Sequence, residues 1–197
     1  MRPSFHILAE EPNMSQIKIA TFVGSLRKDS FNRRLARAVE KLAPDGFVFT
    51  HVRIDDLPLY SQDLDANYPE VATRLKKEIE AADGLLFATP EYNRSMPGVL
   101  KNAIDLGSRP WGTNSFAGKP AGVIGTSIGS TGTALAQQHL RNVLTYLDVH
   151  TLAQPEVFIH FKDDLIAEDG SITSDGTRKF LQGFVDKYAV WVRRFAG

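Results

Sequence analysis

The feature that most constrains this chain is a unit that recurs from end to end: a short apolar run, a turn, then a stretch of helical period. It first occurs as IKIATFV, Ile17 to Val23, a β-branched run of the kind buried on both faces of a sheet, ending at Gly24. Phe31, Leu35, Ala38, Val39 and Leu42 then repeat on one face of a helix that Pro44-Asp45-Gly46 stops. Phe47 to Ile54 predicts a second strand. A polar connection from Asp55 to Pro69 leads to a helix marked by Val71, Leu75, Ile79 and Ala82. Leu85 to Ala88 is a third strand, and Val99, Leu100, Ala103, Ile104 and Leu106 mark a helix ending at Gly107. Pro120 to Gly125 predicts the fourth strand, Ala136, Leu140, Val143, Leu144 and Leu147 the helix after it, and Thr151 to Phe161 a fifth strand. Lys162 to Gly176 reads as an acidic surface excursion. Phe180, Phe184, Tyr188, Trp191, Val192 and Phe195 form the apolar face of a closing helix and are expected in the core.

That alternation, without a linker or an internal repeat, predicts an α/β domain built on one parallel sheet with helices on both faces. At 197 residues a single domain is expected. The first 13 residues carry no strong period and Met14 directly precedes the first strand signal, so residues 1–15 read as an N-terminal extension and 16–197 as the domain.

Lysine plus arginine number 23 and aspartate plus glutamate 23, so no net field draws nucleic acid or an anionic membrane, and anion recognition has to be local. There is no cysteine, which removes thiolate metal sites, CxxC redox chemistry and a cysteine nucleophile. Redox work would need a bound cofactor. No apolar run approaches the roughly 20 residues that cross a bilayer, and a cytoplasmic location is the expectation. His6, His51, His139, His150 and His160 are scattered without ligand spacing, and no metal site is expected. His139, beside an apolar helix face, is expected to be partly buried. Asp163-Asp164 and Glu168-Asp169 read as surface turns. Trp111 suits stacking on a substrate or packing between subunits.

In a sheet of this kind ligands bind outside the carboxyl ends of the strands, where strand order reverses. The loop after the first strand, GSLRKDSFN, combines turn amides and a helix start with the hydroxyls of Ser25 and Ser30, the amide of Asn32 and the guanidinium of Arg27. It is neither a Walker A loop nor GxGxxG, and one glycine among many side-chain donors suits a terminal phosphomonoester better than a pyrophosphate. Phosphate binding is favoured over a plain helix cap at Ser30. The loop after the third strand, TPEYNRSMPG, presents Pro90, Glu91, Tyr92 and Asn93. It suits a flat heterocycle, or a βα turn with Tyr92 packed, and local chemistry leaves both open. Glu91 has no partner that would make it a general base. The loop after the fourth strand, TSIGSTGT, offers Ser127, Gly129, Ser130, Gly132 and Thr133, and taken alone reads as a helix cap with a flexible lead-in.

Together and in this order, GSLRKDSFNRRLA, TPEYNRSMPGVLKNAID and AGKPAGVIGTSIGSTGTALAQQHLR resemble the NADPH-dependent FMN reductase family, in particular its chromate, quinone and azo-dye reductase branch. The resemblance runs from about Gln16 to the carboxyl end. It implies a flavodoxin-like fold, a doubly wound five-stranded parallel sheet of order 2-1-3-4-5. It implies that Ser25, Arg27, Ser30 and Asn32 hold the FMN phosphate, that Pro90, Glu91, Tyr92 and Asn93 line the isoalloxazine and ribityl chain, and that Ser127 and Gly129 close the other side. Gly132-Thr133 stands where members commonly carry a glycine pair. Tyr92 and Arg94 would border the substrate pocket, and Arg109 reads equally as a cation at that pocket, in the same or a neighbouring subunit, or as a solvated loop arginine. The implied chemistry is ping-pong on FMN: NADPH or NADH gives a hydride, and a small acceptor (a quinone, free flavin, azo compound or chromate) takes the electrons, with no catalytic side chain required. A homodimer or homotetramer is implied. The alternative is a non-enzymatic flavodoxin-type electron carrier, which the neutral charge disfavours because carriers of that kind present an acidic docking face.

Overall fold

The computed structural model describes residues 16–196, and the proposed extension at 1–15 lies outside them. The elements are β1 (Ile17–Val23), α1 (Phe31–Leu42), β2 (Phe47–His51), a 3-10 turn (Gln62–Asn67), α2 (Glu70–Glu80), β3 (Gly84–Ala88), α3 (Gly98–Gly107), β4 (Pro120–Ser127), α4 (Ala134–Tyr146), β5 (His150–Thr151), β6 (Val157–His160) and α5 (Asp175–Arg193). The sheet order is β2-β1-β3-β4-β5, every described pairing in it is parallel, and β6 also pairs with β4. The expected doubly wound order is therefore the one observed.

β3 begins one residue earlier and β4 ends two residues later than expected, and two other strands differ more. The single fifth strand foreseen over 151–161 is two short ones: β5 pairs with Pro120 and Ala121, β6 with Ile124 to Ser127. The break holds Pro155, which has no N–H for the ladder. The second strand stops at His51, although Val52 N–H still donates to Thr21 O at 2.9 Å.

Strand alternation assigns the two faces. Phe22, Leu85 and Phe87 pack against α2, α3 and α4; Ile19, Leu86 and Ala88 pack against α1 and α5. Phe22 and Phe87 are wholly buried and stack at 4.9 Å, each contributing about 2–3 kcal/mol by burial. The closing helix buries Phe184, Tyr188 and Val192, whereas Phe180 and Phe195 are 41% and 38% exposed, contrary to expectation. Phe180 falls off the buried stripe that Leu181, Val185 and Ala189 complete at helical spacing, and Phe195 lies beyond the helix end at Arg193. Among the described residues no helix is long and apolar enough to cross a membrane.

Candidate functional site

Three loops meet at the carboxyl edge of β1, β3 and β4. Gly24 N–H donates to Ala88 O at 2.9 Å and Thr89 N–H to Ile124 O at 3.0 Å, which stitches the strand ends together. A Cβ on Gly24 would lie 3.0 Å from Leu100 Cδ2 and 3.4 Å from Pro90 Cδ. The lone glycine of the first loop thus lets that loop close on the second.

In the first loop Ser25 and Ser30 are buried, while Leu26 to Asp29 are exposed. Ser30 caps α1, its Oγ accepting from Arg33 N–H at 3.2 Å, and its own hydroxyl proton remains available. From Ser25 through Asn32 one backbone N–H, that of Arg27, meets an acceptor among the described residues, and that contact, to Ser25 Oγ, is long at 3.4 Å. A row of uncommitted amides at the start of a 12-residue helix is a fixed positive cradle. This donor set fits the phosphate of FMN.

The side-chain amide of Asn32 is engaged elsewhere. It is buried, its Nδ2 donates to Thr126 O at 2.9 Å and its Oδ1 accepts from Thr126 N–H at 3.0 Å, clamping α1 to β4. What remains uncommitted at Asn32 is chiefly its backbone N–H. Arg27 lies with its guanidinium 4.7 Å from the centroid of Phe31, which in turn stacks on Phe161 at 3.8 Å. Sequence reading placed Phe31 only on the helix face and did not find Phe161 as its partner, since 130 residues separate them in the chain.

The second loop is a two-residue hairpin. Tyr92 and Ser95 exchange backbone hydrogen bonds of 2.9 and 3.0 Å across Asn93 (φ 52°) and Arg94 (φ 66°). Asparagine tolerates that left-handed geometry; arginine does so at a cost. Tyr92 is 54% exposed rather than packed, and Pro90 is buried. Glu91 Oε2 accepts from Leu135 and Ala136 N–H, both at 3.1 Å, and so caps α4, whose own N-cap residue Thr133 makes no side-chain cap bond. His139 is exposed, not partly buried as expected, and its Nδ1 lies 3.0 Å from Ser95 Oγ, tying α4 to the hairpin.

In the third loop Ser127 Oγ accepts from Gly129 N–H at 3.2 Å, and Gly132 (φ 68°) is pressed against the β6 backbone, where a Cβ would lie 2.9 Å from Ile159 N. Thr133 follows at φ 133°, buried, with its Oγ1 accepting from Gln137 Nε2 at 2.9 Å. Gly125 makes this possible: a Cβ there would fall 2.0 Å from Thr133 Oγ1. The loop has a defined shape, more than a flexible lead-in.

Arg109 is not brought to these loops within one chain. It follows α3, whose 10 residues run from Gly98 at the carboxyl edge to the opposite end, about 15 Å away at 1.5 Å per residue. There its guanidinium lies 5.3 Å from the Trp111 ring and 5.9 Å from the Tyr60 ring. Tyr68 nearby donates its hydroxyl to Leu106 O, and burial pushes its pKa up to about 12. Among the described residues no cluster of three or more histidine, aspartate or glutamate side chains has metal-holding geometry.

A sequence profile for a family described as NADPH-dependent FMN reductase matches residues 17–164. The chain is 58% identical over 177 residues to the 2-hydroxy-1,4-benzoquinone reductase of a Burkholderia species, covering 90% of this chain and 97% of that protein. It is 46% identical over 182 residues to a quinone reductase of Pseudomonas putida, covering 91% and 97%. Among solved structures it superposes, with a TM-score of 0.87 and 49% identity, on the flavoenzyme NAD(P)H:(acceptor) oxidoreductase FerB of Paracoccus denitrificans, covering 91% of this chain and 98% of that one.

Proposed function

The chain belongs to the NADPH-dependent FMN reductase family, and from that premise we propose that it is an FMN-dependent NAD(P)H:quinone oxidoreductase whose flavin lies along the carboxyl edge of β1, β3 and β4. The observation that carries the placement is the run of uncommitted backbone amides from Ser25 to Asn32 at the start of α1. FMN, when bound, supplies the hydride-accepting and electron-donating chemistry that this cysteine-free chain does not carry in its side chains.

The chain's part is to bind and to orient. Ser25 and Ser30 donate hydroxyl protons to the phosphate, and Arg27 leaves the Phe31 face to add a charge-assisted fork. Asn32 contributes its backbone N–H, while its side chain keeps α1 registered on β4. Pro90, Tyr92 and Asn93 border the ring system. Glu91 acts through α4, holding the third loop and the hairpin at a fixed spacing. Ser127 and Gly129 close the opposite side. Tyr92 and Arg94, both exposed, form the mouth through which a planar acceptor enters. Quinones are the acceptors of first choice because the named relatives are quinone reductases; azo compounds, free flavins and chromate are further acceptors for the same open edge. The carrier alternative gains nothing from the three proteins named above, two quinone reductases and an NAD(P)H:(acceptor) oxidoreductase.

The working unit is a homodimer or homotetramer. Trp111 and Tyr146, 75% and 72% exposed, flank Arg109 at the far end of α3, an apolar surface that a second copy would cover. Arg109 then reaches a substrate pocket only on the neighbouring subunit.

Titration of flavin-free protein tests the placement: FMN binds at least 100-fold more tightly than riboflavin, which lacks the phosphate, and equal affinities refute it. Anaerobic NADPH added to the yellow protein bleaches it promptly, and a quinone restores the colour.

A further inference from the structure

Beside the first loop, on the face of the sheet that α1 covers, lies a groove of about 420 Å³ that shares Ser25 with the proposed flavin site but whose arginines have no role there. Arg33 and Arg37 of α1 form one wall and His51 and Arg53, at the end of β2, the other; Val23 and Ser25 lie between them. Arg33 and Arg37 are four residues apart and share one helix edge, where like charges repel.

Their hydrogen bonding separates them from the other cations of α1. Arg34 pairs with Glu168 at 3.5 Å and Lys41 with Asp169 at 2.8 Å. Arg33 Nη1 reaches a carbonyl, Lys28 O, at 3.4 Å, and Arg37 Nη1 reaches Glu168 O at 2.9 Å. Among the described residues neither guanidinium forms an ion pair with a carboxylate. Across the groove His51 is held by Glu40 at 2.6 Å, and Arg53 by Asp55 at 2.9 Å, with Asp56 at 3.5 Å. In a chain of zero formal charge, two unpaired forks facing a third are a local surplus that a dianion would neutralise.

Position narrows the ligand. The groove lies on the β2 side of the first loop, opposite the loops after β3 and β4. In doubly wound sheets of order 3-2-1-4-5-6, which bind dinucleotides, the adenosine ribose is read beyond the second strand and an arginine there accommodates a 2′-phosphate; this groove holds the corresponding place beside β2 in a sheet of order 2-1-3-4-5 whose first turn is given to the flavin. We propose that this groove binds the 2′-phosphate of NADPH, with Arg33 and Arg37 as its main ligands and Arg53 shared between the phosphate and Asp55. The inference rests on the proposed function, which lays the flavin from the first loop toward β4 and leaves the β2 side to the adenosine end of the donor. It makes these arginines the determinants of NADPH over NADH.

The test uses FMN-loaded protein, wild type and Arg33→Gln/Arg37→Gln. Calorimetry with adenosine 2′,5′-bisphosphate and adenosine 5′-monophosphate should show the bisphosphate at least tenfold tighter on the wild type, a preference the variant loses. In stopped flow, kcat/KM for flavin reduction by NADPH should fall tenfold or more, and that by NADH should stay within twofold. Flavin content and melting temperature should not move; if the glutamine pair loses flavin, Arg33→Lys/Arg37→Lys, which keeps the charge without the fork, should show the same change in donor ratio at smaller size. Equal binding of the two nucleotides, or an equal loss with both donors, overturns the proposal. So does inorganic phosphate competing as strongly as the bisphosphate, which would make the groove a free-phosphate site. Reduction by both donors with an unchanged ratio overturns the groove alone, whereas wild-type protein that takes up no flavin, or is bleached by neither donor, removes the function as well.

Discussion

The first loop and the other two solve opposite problems at the same sheet edge. In the first, the backbone N–H groups from Ser25 to Asn32 are almost all uncommitted, and no non-glycine residue adopts positive φ. In the other two, Asn93, Arg94 and Thr133 adopt left-handed backbone, and polar side chains are consumed internally: Glu91 on α4, and Thr133 on Gln137. One loop leaves its donors open; the others use theirs to hold a shape. Backbone strain of the order of 1–3 kcal/mol per residue survives only where surrounding contacts over-determine it, and here those contacts run between loops.

Substitutions on each side should break or sharpen that contrast. The largest effect is expected at Gly125, where a new Cβ would sit 2.0 Å from Thr133 Oγ1 and 2.5 Å from Thr89 O. Gly125→Ala should cost about 3 kcal/mol in denaturant unfolding, because the crowding atoms include backbone that cannot move aside. Next, Arg27→Ala should weaken FMN binding by roughly 10- to 100-fold through loss of a charged hydrogen bond worth about 1.5–3 kcal/mol, with an unchanged melting temperature. A fall in stability with unchanged FMN affinity would place Arg27 among the structural residues instead. Glu91→Gln should do the reverse, costing about 1 kcal/mol of stability while reducing FMN affinity less than Arg27→Ala does. The smallest effect is of opposite sign: Arg94→Gly should raise stability by about 0.5 kcal/mol, since the relief of left-handed strain slightly exceeds the added entropy of the unfolded chain. A destabilised Arg94→Gly protein would mean that the arginine side chain holds the hairpin.

The parallel sheet was legible in the sequence because it follows from local pattern, whereas its order 2-1-3-4-5 followed from the family resemblance. Apolar runs of β-branched residues and helical spacing such as Phe31, Leu35, Ala38 identify the elements, and alternation makes the sheet parallel. Less legible was what each polar side chain does. Asn32 reads as a phosphate ligand in its loop, yet its amide closes on Thr126, 94 residues along. Glu91 offers a flavin edge in sequence and a helix cap in space. His139, placed beside an apolar face by periodicity, stands exposed at Ser95. A proline was the one visible hint that the last strand would divide, and the i, i+4 spacing of Arg33 and Arg37 reveals nothing of the β2 residues opposite them.

What this sequence determined by itself is the doubly wound scaffold and the chemistry offered at its edge, since periodicity, turn residues and donor types act over a few neighbours in the chain. Which of those donors remain open to a ligand was decided only by the tertiary structure. Hydrogen bonds between residues scores of positions apart, Asn32 with Thr126 and Glu91 with α4, saturate some polar groups and leave others free. That saturation depends on distance in space, which local pattern does not encode.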